Sequence, residues 1–239
     1  MIDLLKPHPF FHGKQIDTCI LLENQGYCNE NYLVEADGVK YIVRSFKQEN
    51  INRKQEFYFQ KIIYDLGIAP KPLVLDEKIG LMIMLFQEGE HKKNLSHAEL
   101  QKLIATVKVL HAYDIYVDDN IPTALCRYEF VENPSKDVID ALHTIDAYPI
   151  DYVLSHNDLN AKNILWHKHK VIFLDFEYTA VNDCYFDLAS ISVEFNLSGI
   201  EDIAMLESYF GDEFYDEAKL YAYKIIYKAL CEEWFQNNP

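Results

Sequence analysis

The stretch VLSHNDLNAKNILWHKHKVIFLDFEY, residues 153–178, constrains this chain more than any other. It reads as an apolar run, a polar loop, a second apolar interval and then a carboxylate at its end. Asp158 and Asn163 stand five positions apart in one loop, and Asp175 follows what reads as a short hairpin, so that one hairpin with polar ends is expected over about 152–175. Two carboxylates and an amide oxygen can then converge. Such a set serves phosphoryl transfer: one carboxylate orients or deprotonates the attacking hydroxyl, and an Asn/Asp pair holds Mg2+ on a triphosphate.

The order His156-Asn157-Asp158, Asn163, Asp175-Phe176-Glu177 resembles the H-x-D-x-x-x-x-N and D-F-G elements of the protein-kinase superfamily. Asparagine after the histidine, and glutamate in place of the glycine, bring it nearer to choline and ethanolamine kinases. The run from Phe176 to Asp187, with Glu194 seven residues on, is similar to the segment F-E-Y-x-x-x-N-x-x-x-F-D of that family. The chain is short for its eukaryotic members and looks like a compact bacterial type. The resemblance implies an α+β, bilobal protein-kinase-like fold and an enzyme using ATP and Mg2+.

The organisation along the chain agrees with this expectation. Short apolar runs at 20–22, 32–34 and 41–43 read as strands, the last two joined at Asp37-Gly38, a strong hairpin signal. Helical periodicity follows over 49–66, with Gly67 where a C-cap belongs, then two strands near 72–75 and 81–85. Beyond Gly89 helices dominate. Ser96-His97-Ala98-Glu99 signals a capping box opening a helix through His111, and Asn133-Pro134 reads as another helix start. We therefore expect a nucleotide-binding portion over 1–86, a hinge near 86–90 and a catalytic, acceptor-binding portion over 87–239.

For the nucleotide, neither a P-loop nor a G-x-G-x-x-G fingerprint is present. The loop around Gly26 and Asn29, with Asn31 beyond it, occupies the place of a phosphate-covering loop, though a plain polar turn would read the same. Arg44 stands where protein kinases carry a phosphate-binding lysine, and choline kinases commonly have arginine. A guanidinium grips phosphate oxygens in a fork. Glu56 on the next helix is its natural partner, with Arg53 near enough to compete. By resemblance, adenine meets the backbone near Leu85 and Gln87.

For the chemistry, Asp158 is the candidate base, and Asn163 and Asp175 are the candidate Mg2+ ligands. His156 reads as a brace for the loop. Glu177 would add a metal-bound water or neutralise Lys162, and Asp187 resembles the buried aspartate that holds the amides of the catalytic loop. Only eleven residues separate Asp175 from Asp187, too few for the activation segment of a protein kinase, so a small alcohol is the better acceptor. In the family the glutamate matching Glu194 faces the choline ammonium, and Asn160 matches a loop position near the acceptor. A quaternary ammonium has no N–H, so selectivity rests on carboxylates and aromatic faces. Tyr227, Cys231 and Trp234 fall on one face of the last helix, where the family builds an aromatic box with two tryptophans. A stripe of that kind serves core packing equally well. Choline is the leading acceptor, with ethanolamine, thiamine or an aminoglycoside as alternatives and an inactive nucleotide-binding scaffold as a different class.

A net charge of −16 argues against nucleic acid and anionic membranes as partners. Five scattered cysteines without a C-x-x-C pair, and no apolar leader or membrane-length run, point to reduced thiols and a cytoplasmic location. The sequence leaves the oligomeric state open.

Overall fold

The computed structural model describes residues 1–23, 28–48, 51–117, 122 and 134–237. It divides into two compact units, Met1–Gly89 and Glu90–Pro239.

The first unit is built on a five-stranded antiparallel sheet in the order β1-β2-β3-β5-β4. Its strands are β1 (Ile16–Leu21), β2 (Asn29–Ala36), β3 (Val39–Phe46), β4 (Pro72–Asp76) and β5 (Leu81–Leu85). Asp37 and Gly38 both take positive φ, 50° and 73°, as a two-residue hairpin turn demands, and Ala36 pairs with Val39 across it. This turn sets the register that places Asn31 opposite Arg44. A short α1 (Ile2–Leu5) and a 3-10 turn at Pro9–Phe11 cover one face of the sheet. There Leu5 and Phe11 join Val34, Ala36, Tyr41, Val43, Leu81 and Ile83 in one buried cluster. Phe10 and Phe11 each meet the Tyr41 ring edge to face, at 5.4 and 5.7 Å.

Helix α2 (Arg53–Asp65) starts later than its periodicity suggested. Asn52 caps it by accepting from Gln55 N at 3.2 Å, which leaves Ile51 outside, while 49–50 lie outside the described residues. Gly67, at φ 80°, follows its end, as expected of a residue beyond a C-cap.

The second unit opens with α3 (His97–His111), and both bonds of the Ser96/Glu99 capping box are formed. Its face of Leu100, Leu103, Ile104, Val107 and Leu110 is buried. The cap of α4 (Lys136–Asp146) is Ser135, which accepts from Val138 N; Pro134 stands outside the helix and Asn133 outside the described residues. The hydroxyl sits where the N–H groups of the first turn converge, so it displaces the Asn-Pro reading.

The single hairpin expected over about 152–175 is instead two nested pairs. Strand β6 (Tyr152–Ser155) pairs with β9 (Ala180–Asp183), and between them β7 (Ile164–His167) pairs with β8 (Lys170–Phe173) through a turn at Lys168, φ 54°. Long-range pairing of β6 with β9 leaves no local turn signal, which is why the spacing alone suggested one hairpin. Helices α5 (Cys184–Glu194), α6 (Gly199–Phe210) and α7 (Glu217–Asn237) complete the unit. Among the described residues no helix is long and apolar enough to cross a membrane.

Candidate active site

In the first unit, Arg44 on β3 reaches Glu56 on α2, with Nη1 2.5 Å from Oε1. Arg53 takes the other oxygen, Nη1 to Oε2 at 2.7 Å, so the two arginines share the carboxylate instead of competing for it. All three side chains are buried, and Glu56 is 1% exposed. Arg44 Nε also donates to Asn31 Oδ1 across the strands at 3.3 Å. Arg53 lies over the Phe46 ring, 4.3 Å from its centroid. Two guanidiniums around one carboxylate leave a net positive charge, which suits a polyphosphate. Asn29 is buried, and its Oδ1 accepts no hydrogen bond from the described residues. Gly26 lies outside the described residues. Leu85 gives its N–H to Lys71 O, and the Gln87 side chain donates to Glu88 O.

In the second unit the loop after β6 is held from below by Asp187. This carboxylate is fully buried on α5: Oδ2 accepts from His156 N and Oδ1 from Asn157 N, both at 2.8 Å. His111 Nε2 approaches Oδ2 at 3.0 Å, while its Nδ1 lies 2.8 Å from Tyr209 OH. Burial pushes the Asp187 carboxyl up, but His111, His156 and the backbone N–H outweigh it and hold the group below the usual carboxylate value. The amides need this anchor because Asn157 is left-handed, φ 65°. Its side chain closes the loop from the other side, donating to Tyr178 O at 3.0 Å and accepting from Asn182 at 2.7 Å.

His156 is fully buried beneath the loop. Burial lowers its pKa, so the ring is neutral and has one N–H to give. Nε2 donates it to Leu174 O at 2.9 Å, and the ring packs against Phe173 and Phe176. Leu174 N in turn donates to Asn163 O at 2.9 Å. These two bonds tie the segment that ends in Asp175, φ 67°, to the loop that carries Asp158 and Asn163.

Asn163 Nδ2 donates to Asp158 twice, to Oδ2 at 2.7 Å and to the backbone oxygen at 2.9 Å. That commitment turns the amide oxygen of Asn163 away from Asp158, as a neutral hard donor. Asn160 donates to Asp158 Oδ1 at 3.0 Å, and its own Oδ1 caps the 3-10 turn Ala161–Asn163 through Lys162 N and Asn163 N. Both oxygens of Asp158 are thereby oriented by amides. Glu177 lies half-buried in the turn after Phe176.

Glu194 closes α5, and Tyr227 of α7 donates its hydroxyl to Glu194 Oε1 at 3.0 Å. Burial raises the Tyr227 phenol well above its ordinary value, with Cys231, Glu194 and Asp158 adding to it, so the group stays protonated. Phe186 meets the Tyr227 ring edge to face at 6.0 Å. Trp234, two turns further on, is half-buried with Phe235 at 5.2 Å. Sequence reasoning missed His111 and Tyr209. A histidine ending a buried apolar face, with a buried aspartate to satisfy, was the available signal for the first.

The chain belongs to the phosphotransferase enzyme family, whose profile matches residues 22–223. It is 35% identical over 229 residues to a LicA homologue of Metamycoplasma hominis, covering 89% of this chain and 86% of the relative. It is 26% identical over 226 residues to protein LicA of Haemophilus influenzae, covering 85% of this chain but 66%, just under two thirds, of the relative. The crystal structure of choline kinase LicA from Streptococcus pneumoniae superposes with a TM-score of 0.74 at 22% identity, covering 92% of this chain and 85% of that one. The fold is thus the protein-kinase-like α+β fold.

Proposed function

We propose that this member of the phosphotransferase enzyme family transfers the γ-phosphoryl group of ATP to the hydroxyl of choline. The observation that carries the reading is the Glu194–Tyr227 pair. A carboxylate at the end of α5, fixed by a phenol, offers charge to a cation that cannot donate hydrogen bonds, while the Tyr227 and Phe186 rings are themselves buried. An ammonium held at Glu194 then presents a two-carbon hydroxyl to Asp158. The Streptococcus pneumoniae structure it resembles is named choline kinase LicA, and the Haemophilus and Metamycoplasma relatives share the name LicA, which supports the same acceptor.

In this reading Asp158 receives the proton of the hydroxyl, its two oxygens already oriented by Asn160 and Asn163. The transition state is loose, so orientation contributes more than basicity. Asn163 Oδ1 and the Asp175 carboxylate are hard oxygen donors that fit Mg2+, and these two residues would hold it. When bound, the ion neutralises charge on the phosphates. Arg44, steadied by Glu56 and Asn31, grips phosphate oxygens. Asn160 and Trp234 complete the acceptor side, and the protein acts without nucleic acid or membrane partners, in the cytoplasm.

The test is ADP release with Mg-ATP against choline, ethanolamine, thiamine and kanamycin. Choline should give the highest kcat/KM; nucleotide binding without turnover of any acceptor would revive the scaffold. Asp158→Ala should lower kcat by about 10^3-fold with ATP affinity retained. Glu194→Gln should raise the choline KM roughly tenfold and leave that for ATP alone. An unchanged choline KM removes Glu194 from the pocket.

A further inference from the structure

Lys219, in the first turn of α7, has no part in the chemistry above, yet its surroundings are as closely built as those of the catalytic loop. It is 2% exposed. Its ammonium donates to Pro149 O at 2.7 Å and lies 2.9 Å from Asp151 Oδ2 and 2.8 Å from Asp183 Oδ2. It also stands over the Tyr185 ring, 4.5 Å from the centroid. Two of its N–H groups go to Pro149 O and Asp151 Oδ2, and the Asp183 carboxylate faces the ammonium as an ion-pair partner. Asp151, Asp183 and Cys184 come close enough together to form a cation site, and the lysine is the cation that fills it.

The partners of Lys219 lie on the elements that carry the site. Pro149 and Asp151 precede β6, which leads into the catalytic loop. Asp183 ends β9 and caps α5, accepting from Tyr185 N at 3.0 Å. Tyr185 OH accepts from Asp216 N at 2.9 Å, a second tie between the starts of α5 and α7. From these pinned ends α5 runs to Asp187 and Glu194, and α7 runs to Tyr227. A one-residue slip along a helix is 1.5 Å of rise and 100° of rotation, enough to lose the 3.0 Å bond between Tyr227 and Glu194. A buried ion pair adds little net stability compared with apolar packing, and its best-attested use is to fix register.

We propose that Lys219 is a positioning residue for the acceptor: by binding Pro149, Asp151 and Asp183 it sets the register of α7 against α5 and so places Tyr227 on Glu194. The proposal rests on the reading of Glu194 and Tyr227 as acceptor contacts. A merely structural lysine would change stability and leave the balance between the two substrates alone.

Two variants of the full chain test this. Lys219→Met keeps the length of the stem but strands the Asp183 carboxylate. Asp151→Asn removes one charged contact at a half-exposed site while Pro149 and Asp183 remain, and it decides the matter if the first variant does not fold. The acceptor KM should rise about tenfold in Lys219→Met and about threefold in Asp151→Asn, with the ATP KM and the slow hydrolysis of ATP by water within about twofold of wild type. Hydrogen exchange should quicken at 223–234 of α7 and not in α3. Equal rises in both KM values, or a lowered melting temperature with both KM values unchanged, would overturn the proposal. If the wild type phosphorylates no amino alcohol, the acceptor reading falls by itself. The exchange pattern then decides whether Lys219 sets α7, and unchanged exchange at 223–234 refutes it.

Discussion

Glu56 and Asp187 are both buried carboxylates, one in each unit, and they hold different things. Glu56 is satisfied by two side chains, Arg44 and Arg53, each on a flexible stem and each fully charged. Asp187 is satisfied by two backbone N–H groups and a histidine. The first arrangement leaves positive charge on groups that can adjust to a ligand. The second fixes main chain, including a left-handed asparagine, and leaves little to adjust. Binding of a polyanion tolerates adjustment, whereas placing a base against a hydroxyl does not. The two carboxylates should therefore fail differently when removed.

Removing Asp187 should do the most damage. Asp187→Ala leaves two backbone donors and His111 without their acceptor, at about 1–3 kcal/mol for each buried unsatisfied group. We expect a loss of about 3–5 kcal/mol in urea denaturation and a collapse of kcat in whatever folds. A variant as stable as wild type would mean that the loop holds itself. Glu56→Gln comes next. It keeps one acceptor but removes the charge that steadies both arginines, so steady-state kinetics should show the ATP KM up about tenfold and kcat less affected. The reverse split, with kcat falling at constant ATP KM, would make Glu56 an organiser of chemistry like Asp187 and end the contrast.

The smallest effect is electrostatic. His156 is buried neutral, with its pKa lowered by burial from the ordinary 6.5. Below that value the unfolded chain binds a proton that the folded chain refuses. Stability is then complete above pH 6.5 and falls as the pH drops toward the depressed folded value, by at most about 1.4 kcal/mol per unit. His156→Gln should flatten that slope by one proton in denaturation curves between pH 6.5 and 5. An unaltered slope would place the titration elsewhere.

Local chemistry was the legible part of this fold. Asp37-Gly38, Gly67 and the Ser96/Glu99 box each act within a few residues, and each appears where the sequence placed it. Longer reach was not legible. Nothing near Ser155 announces Ala180 as its strand partner, so the nested pairing read as one hairpin. Phe10 and Phe11 carry no periodicity, and only the face of the sheet explains their burial. At the site, Asp158, Asn163 and Asp175 stand out by spacing because they share one short segment. His111 and Lys219 do not, since each is a single polar residue on a helix whose partners lie far along the chain. The cap of α4 shows another limit: Asn133-Pro134 read as the start, and only the position of the Ser135 hydroxyl shows where the helix begins.

The nesting of β7–β8 inside β6–β9 bears on the order of assembly. The inner pair joins neighbours through a tight turn at Lys168 and is of the kind that forms in microseconds. Once it closes, the span from Ser155 to Ala180 is shortened, and the entropy cost of the outer pairing falls. The bond from Leu174 to Asn163 extends the inner ladder, whereas that from His156 to Leu174 bridges inner and outer pairs and so belongs to the last step. A chain emerging from the ribosome would thus acquire its hairpin early and its phosphotransfer competence late, only after α5 has been made and Asp187 is there to receive the loop.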